Sequence, residues 1–345
     1  MSILSGKTND FFGLDIGTSG IRLAKIAHPS NALQTYAYMA IDPKVAVSDS
    51  KTDQQKLAQS VKDLVAKSGI KTKSVAVGLP SQRVFTAVVD IERLSREELA
   101  KTIRLQADSL IPTPINESKI DWDLIGDSPQ DKTKVEILLS SVPNNYVEAR
   151  LDLLENIGLN VIAFEPDSLA IVRSLVAPDS NQAQMVLDMG NLSTDLVIIL
   201  NGSPRLIRSI PTGYDSIIKA AVQNLNIDEA QARQFVAKFG LNPQKLEGQI
   251  FHAISGIVDL LMGEIDKSIK FFSTRYQITK IERIIVAGNA GSLPDFPIYL
   301  ANKFSLNVEV GNAWRNISYS PDRQNELLAI SSQFTVAVGL AERHV

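Results

Sequence analysis

One short motif occurs twice in this chain and limits its fold more than any other feature: Leu14-Asp15-Ile16-Gly17-Thr18-Ser19 and Leu187-Asp188-Met189-Gly190-Asn191-Leu192-Ser193-Thr194-Asp195. In each copy an aspartate closes a hydrophobic run, a glycine follows two residues later, and small hydroxyl or amide side chains lead into a second β-rich run. Phe11-Phe12-Gly13-Leu14 and Met185-Val186-Leu187 read as buried strands, with Ile21 to Ile26 and Leu196 to Leu200 as their partners. Each copy is therefore expected to be a β-hairpin. Gly17 and Gly190 can take backbone angles closed to other residues and let main-chain N–H groups approach an anion. Thr18, Ser19, Ser193 and Thr194 add hydroxyl donors, and Asn191 adds an amide. Asp15 and Asp188 can orient the waters that magnesium keeps around itself. Two such loops can hold one nucleotide phosphate tail between them. Either copy alone reads equally well as an ordinary Asp-x-Gly hairpin turn.

A third element supports the nucleotide reading. Ile284-Ile285-Val286-Ala287-Gly288-Asn289-Ala290-Gly291-Ser292-Leu293 is a buried-type strand opening onto a glycine-rich turn, followed by Pro294 and a helix to Lys303. Gly288, Asn289, Ala290 and Gly291 would let the backbone lie flat against a purine and ribose. In the order hairpin, hairpin, glycine-rich strand end, these segments resemble the nucleotide-binding motifs of the actin-like ATPase superfamily. That resemblance implies an α/β chain with a two-lobed actin-like ATPase fold of duplicated ribonuclease-H-like domains, binding ATP and Mg2+.

Composition agrees. The 345 residues, 44% of them hydrophobic, supply two cores. With no cysteine there is no disulfide framework, thiolate nucleophile or Cys-ligated metal, and His28, His252 and His344 show no ligand spacing. A net charge of −3 lacks the basic balance of a general nucleic-acid binder. No run approaches membrane-spanning length, so the chain is expected in the cytoplasm unless a partner recruits it. Ser5-Gly6-Lys7-Thr8 ends like a P-loop, but Met1 stands where the P-loop needs its first glycine, so the segment reads as a tail.

Between the motifs, 52–68 is an amphipathic helix with Leu57, Val61, Leu64 and Val65 on one face and Gly69 as its stop, and 74–80 is a strand entering a turn. Residues 83–160 look like an insertion with its own βα pattern: a strand at 84–91, a helix opened by the capping box Ser95-Arg96-Glu97-Glu98, a break at Pro112 and Pro114, strands around Trp122 and at 135–142, and a helix ending at Gly158. Later, 213–240 reads as two short helices, 249–276 as a long amphipathic one, and 331–343 as a closing helix in which Ala337 and Gly339 permit close packing.

Within the insertion, Asp90-Ile91-Glu92-Arg93-Leu94-Ser95-Arg96-Glu97-Glu98-Leu99, then Ile103, Ala107, Ile111-Pro112, Asp121 and Gly158-Leu159, resemble the PilM family of type IV pilus assembly proteins. That family is similar to FtsA, whose 1C subdomain replaces the 1B subdomain of actin. The resemblance implies subdomain 1A in 10–82 with 161–183 and 325–345, a 1C-like insertion in 83–160, subdomain 2A in 184–212 with 281–324, and subdomain 2B in 213–280. It places Glu165-Pro166-Asp167 near the attacking water, where Glu165 or Asp167 can orient it; Asp167 or Ser168 can equally be a helix cap. On the second helix of 2B, where family members often carry a glutamate and a lysine toward the adenosine, this chain offers Gln231 and Gln234. The implied function is a cytoplasmic ATP-binding scaffold with at most slow ATPase activity. It would dock the cytoplasmic tail of PilN and couple the pilus assembly platform to its motor, reaching the membrane only through partners, with homo-oligomerisation left open. An FtsA-like division tether is disfavoured because the sequence stops after the closing helix with no amphipathic segment, and a small-molecule kinase because no substrate domain is evident.

Overall fold

The computed structural model describes residues 10–277 and 279–344; the Ser5-Gly6-Lys7-Thr8 segment lies outside them. The chain forms two compact units, one running up to Ala170 with Ser203–Ile207 and the chain from Val336 on, the other comprising Ile171–Gly202 and Arg208–Thr335.

In the first unit the strands are β1 (Phe12–Ile16), β2 (Gly20–Ala27), β3 (Ala32–Ala40), β4 (Ser74–Leu79), β5 (Phe85–Glu92), β6 (Ser118–Asp127), β7 (Lys134–Pro143) and β8 (Asn160–Pro166). Five of them make a sheet in the order β3-β2-β1-β4-β8. The expected hairpin pairs β1 with β2 antiparallel, whereas β4 joins β1, and β8 joins β4, in parallel. Central strands covered on both faces must be apolar throughout, and β1 is buried along its whole length. The helix Lys51–Ser68 lays Leu57, Val61 and Leu64 into the same core as Phe12, Leu14, Val75 and Phe164. It begins at Ser50, whose hydroxyl accepts the Asp53 N–H, and ends at Gly69.

The 83–160 segment builds a separate three-stranded sheet, β5-β7-β6. The helix Arg96–Leu110 packs its buried Leu99 and Ile103 with Ile91, Ile137 and Leu139. Its capping box forms as the sequence dictates: the Ser95 N–H donates to Glu98 Oε2 at 3.0 Å, and the Glu98 N–H returns to Ser95 Oγ.

The second sheet contains β9 (Ala183–Met189), β10 (Thr194–Leu200), β11 (Ser203–Ile210), β12 (Ile281–Gly288) and β13 (Asn307–Val310), ordered β11-β10-β9-β12-β13. Its plan repeats that of the first sheet, with an antiparallel β9–β10 hairpin and β12 parallel to both β9 and β13. Helices Tyr214–Leu225, Glu229–Phe239 and Gln249–Arg275 follow where the sequence placed them.

At the chain's end, the expected single helix over 331–343 is instead a 3-10 turn, Ser331–Gln333, followed by the helix Thr335–Ala341. The Ser331 side chain supplies a reason: its hydroxyl accepts the Ala313 N–H and donates to Asn312 Oδ1, which ties that turn to the 312–314 segment. The small residues do what the sequence suggested. A Cβ on Gly339 would run into the Ala170 carbonyl, and one on Gly13 into the Ala337 carbonyl.

Candidate functional site

In the first unit, β1 delivers Asp15 to the start of the hairpin loop. The Gly17 N–H donates across the turn to the Gly20 carbonyl at 3.1 Å, leaving Thr18 and Ser19 half-buried at its tip. Asp15 is directly opposite Arg22 in the ladder, with 3.6 Å between carboxylate and guanidinium, and Arg22 also lies over the Tyr38 ring. Burial pushes the Asp15 carboxyl up and the Arg22 charge pulls it down, with burial the larger effect.

The second hairpin repeats this geometry. The Gly190 N–H donates to the Ser193 carbonyl at 2.8 Å, the same bond one motif later. Both glycines thus act through a tight turn. Neither has a positive φ, which corrects the expectation that they take backbone angles closed to other residues, and each spends its own amide inside the loop. The difference between the copies lies across the ladder: Asp188 faces Asp195, where Asp15 faces Arg22. The residue across the ladder from the motif's aspartate is therefore a cation in the first hairpin and a second carboxylate in the second.

The second loop is also built into its surroundings. The Tyr214 and Asp215 amides, at the start of the helix Tyr214–Leu225, donate to the carbonyls of Gly190 and Asn191 at 3.0 and 2.9 Å. Gly213 allows this approach, since a Cβ there would collide with the Asn191 backbone. The Thr194 hydroxyl is buried and donates to the Thr212 carbonyl at 2.7 Å, so its role is to fasten the loop. Asn289 Nδ2 donates to Asn191 Oδ1 at 3.0 Å, bringing the glycine-rich strand end to the hairpin as the motif order implied. Gly288 has φ +61°, and a Cβ on it would strike the Asp188 carboxylate and the Met189 carbonyl. Ala290 is fully buried, and Gly291 fits closely against Ser332 and Val310. These small residues are filled by protein, so packing accounts for them without a purine.

Glu165 and Asp167 part company. Glu165 ends buried in β8, held by Arg343 Nη1 at 2.8 Å. Asp167 opens the helix Asp167–Leu175, its carboxylate lying on Gly78 near the end of β4. The parallel strands β1, β4 and β8 thus present Asp15 and Asp167 at their carboxyl ends, the edge where open α/β sheets bind ligands. Gln231 and Gln234 lie on the exposed face of Glu229–Phe239, opposite buried Ala232 and Val236. Between them on that helix is Arg233, which bonds Asp215 Oδ1 and Glu229 Oε1, each at 2.8 Å; Lys238 lies in its last turn. Sequence reasoning passed over Arg22, Asp195, Gly213 and Arg233. Asp195 stood inside the repeated motif and was legible once the hairpin register was counted.

Magnesium keeps several of its waters and takes one or two carboxylates plus phosphate oxygens. Asp15 in the first hairpin and Asp188 in the second, with Asp195 across the ladder from it, carry oxygen donors of that kind.

A family model described as type IV pilus assembly protein PilM matches residues 13–345. A solved structure described as the PilM-PilN type IV pilus biogenesis complex superposes with a TM-score of 0.83 at 23% identity, covering 96% of this chain and 97% of that one. The ethanolamine utilization protein EutJ from Carboxydothermus hydrogenoformans gives 0.59 at 16% identity over 96% and 88%. MreB5 of Spiroplasma citri bound to ADP gives 0.51 at 13% identity over 95% and 94%. At these identities the likeness is one of fold, and the fold is that of the actin-like ATPases.

Proposed function

The chain belongs to the PilM family of type IV pilus assembly proteins, and from that premise we propose that it is an ATP-binding scaffold of the inner-membrane assembly platform. It docks the cytoplasmic tail of a PilN-like protein and couples the platform to the pilus motor. The observation that carries this reading is the family match across nearly the whole chain. No helix among the described residues is long and apolar enough to cross a membrane; in this reading attachment to the inner face comes through the PilN-like partner.

ATP enters from the hairpins and from the fold, which in MreB5 is seen with ADP. Thr18, Ser19 and Ser193 offer hydroxyls, and Asn191 an amide, to phosphate oxygens. Asp188 and Asp195 would hold waters of a magnesium ion, and Asp15 would orient others beside Arg22. When bound, the ion would neutralise phosphate charge. Glu165, which Arg343 engages, or Asp167 would orient an attacking water, and any hydrolysis is at most slow. Calorimetry tests the site: ATP with Mg2+ binds the native chain, and Asp188→Ala abolishes that binding. Undiminished binding would remove the two-hairpin assignment.

We assign tail docking to 83–160, as a 1C-like subdomain. A groove of about 330 Å3 runs there between the helix Arg96–Leu110 and the edge strand β6, lined by Ile103, Arg104, Ala107, Lys119, Ile120 and Trp122. An exposed sheet edge accepts an extended peptide as a further strand. A PilN tail peptide should bind the full chain and lose affinity at least tenfold on Ile120→Glu; equal affinity in a folded variant would place the tail elsewhere.

A further inference from the structure

The helix Asn144–Glu155 starts at Pro143 with no side-chain cap, and its first two turns carry Tyr146 and Arg150. Long side chains on a helix lean toward its N-terminus. The Arg150 guanidinium does so: Nη2 donates to the Tyr146 hydroxyl, one turn back, at 3.3 Å, and the group lies 5.6 Å from the ring centroid. A second guanidinium comes from the 3-10 turn Ser81–Arg83, where Arg83 lies over the same ring at 5.4 Å. Two positive charges thus share one tyrosine, which is itself packed against the core of the first sheet.

Among the described residues no carboxylate pairs with either guanidinium. Arg150 is only 9% exposed, and its buried Nη1 has no hydrogen-bond partner. A buried charge is costly unless it is paired, and the face of a ring offsets only part of that cost. The neighbouring polar groups are donors as well. The Tyr146 hydroxyl accepts from Arg150 and keeps its own proton to give. On the Arg83 turn the buried Ser81 hydroxyl has no partner. The uncapped helix start adds the positive end of its dipole. Arg83 is exposed, so the cluster has one arm in solvent and one fixed in the interior. A carboxylate would bring it one charge and two oxygens. A phosphate group brings a charge of about −1.5 to −2 and three acceptor oxygens, which balances two arginines and leaves an oxygen for the tyrosine.

We propose that Arg83, Tyr146 and Arg150 form a binding site for a phosphoryl dianion, as free phosphate or as the phosphate of a small ester. The site uses no hairpin residue and needs no magnesium. Calorimetry of the full chain at fixed ionic strength, with EDTA and without nucleotide, takes inorganic phosphate and glycerol 3-phosphate as its probes. At least one should bind saturably, one per chain, and the tighter of the two identifies the source. Acetate, with its single charge, should bind about tenfold more weakly or worse. Arg83→Gln, at an exposed position, should lower phosphate affinity by about tenfold or more and leave the melting temperature without phosphate unchanged. Arg150→Lys keeps the charge but loses the planar fork, and should also weaken binding. Asp188→Asn should bind phosphate as the native chain does. No saturable binding of either probe at tens of millimolar would overturn the proposal, and so would an Arg83→Gln protein that binds as tightly as the native chain. Acetate binding as tightly as phosphate would overturn the dianion. Loss of binding in Asp188→Asn, with Arg83→Gln unaffected, would place the phosphate in the hairpins instead.

Discussion

Glu165 and Asp167 sit two residues apart and the fold gives them different work. Glu165 is buried at the end of β8 against Arg343, and removing one member of a buried ion pair costs about 3–5 kcal/mol. Arg343→Ala should therefore lower the unfolding free energy by about that amount in urea titrations, while the variant, where still folded, keeps its ATP affinity. A loss of ATP binding without loss of stability would return Glu165 to the site. Asp15 bears on pH. Burial raises its carboxyl above the ordinary 3.8, so the folded state holds the proton more tightly than the unfolded one. This contribution to stability is fully present below 3.8 and is lost as pH rises through the raised value. Denaturant titrations across that window should show the decline in the native chain and its absence in Asp15→Asn. At this scale the sequence was informative where a residue's role is set by its immediate neighbours. The placement of Asp15 and Asp188 near the ends of their strands was legible from the motif alone. Thr194 was misread because its hydroxyl is used by the Thr212 carbonyl, eighteen residues on, and Glu165 because its partner lies 178 residues away.

Among the elements, helices were legible because their signals are local. The Ser95–Glu98 capping box and the Leu57, Val61, Leu64 stripe need nothing from the rest of the chain to announce a helix. Strands β3 and β13 carry no such signal. β3 is half-exposed along most of its length and β13 has four residues; each is a strand because a neighbour offers it a ladder. The closing helix was located correctly but cut short, since Ser331 is claimed by Ala313 and Asn312. Its packing gives an element-scale prediction. Thr335–Ala341 approaches the helix Asp167–Leu175 so closely that even a methyl on Gly339 meets the Ala170 backbone. Backbone cannot yield as a side-chain tip does, so overpacking here is expected at or above the usual 1–3 kcal/mol. Gly339→Val should lower the thermal midpoint clearly more than Gly263→Val, whose site is open, with differential scanning calorimetry as the measurement.

For the whole molecule, the twofold occurrence of one motif proved to be the twofold occurrence of one sheet plan, β3-β2-β1-β4-β8 and β11-β10-β9-β12-β13. The repeat therefore reports a duplicated architecture as well as a binding loop. The copies have diverged where charge matters most: one balances its aspartate with Arg22, the other sets Asp188 against Asp195. That asymmetry decides how the chain should respond to metal. A ligand that binds only the folded state stabilises it by about 2.7 kcal/mol at a hundredfold excess over its Kd, so saturating ATP with Mg2+ should raise the melting temperature of the native chain. Chelating the metal leaves the nucleotide's phosphate charge beside Asp188 with no cation between them, and should remove most of that rise while ATP is still present. In the first hairpin Arg22 already supplies a positive charge, so Asp15→Asn should retain part of the shift where Asp188→Asn retains none. A thermal shift equal in both variants, or one insensitive to chelation, would mean that the two hairpins do not divide the charge of the nucleotide in this way.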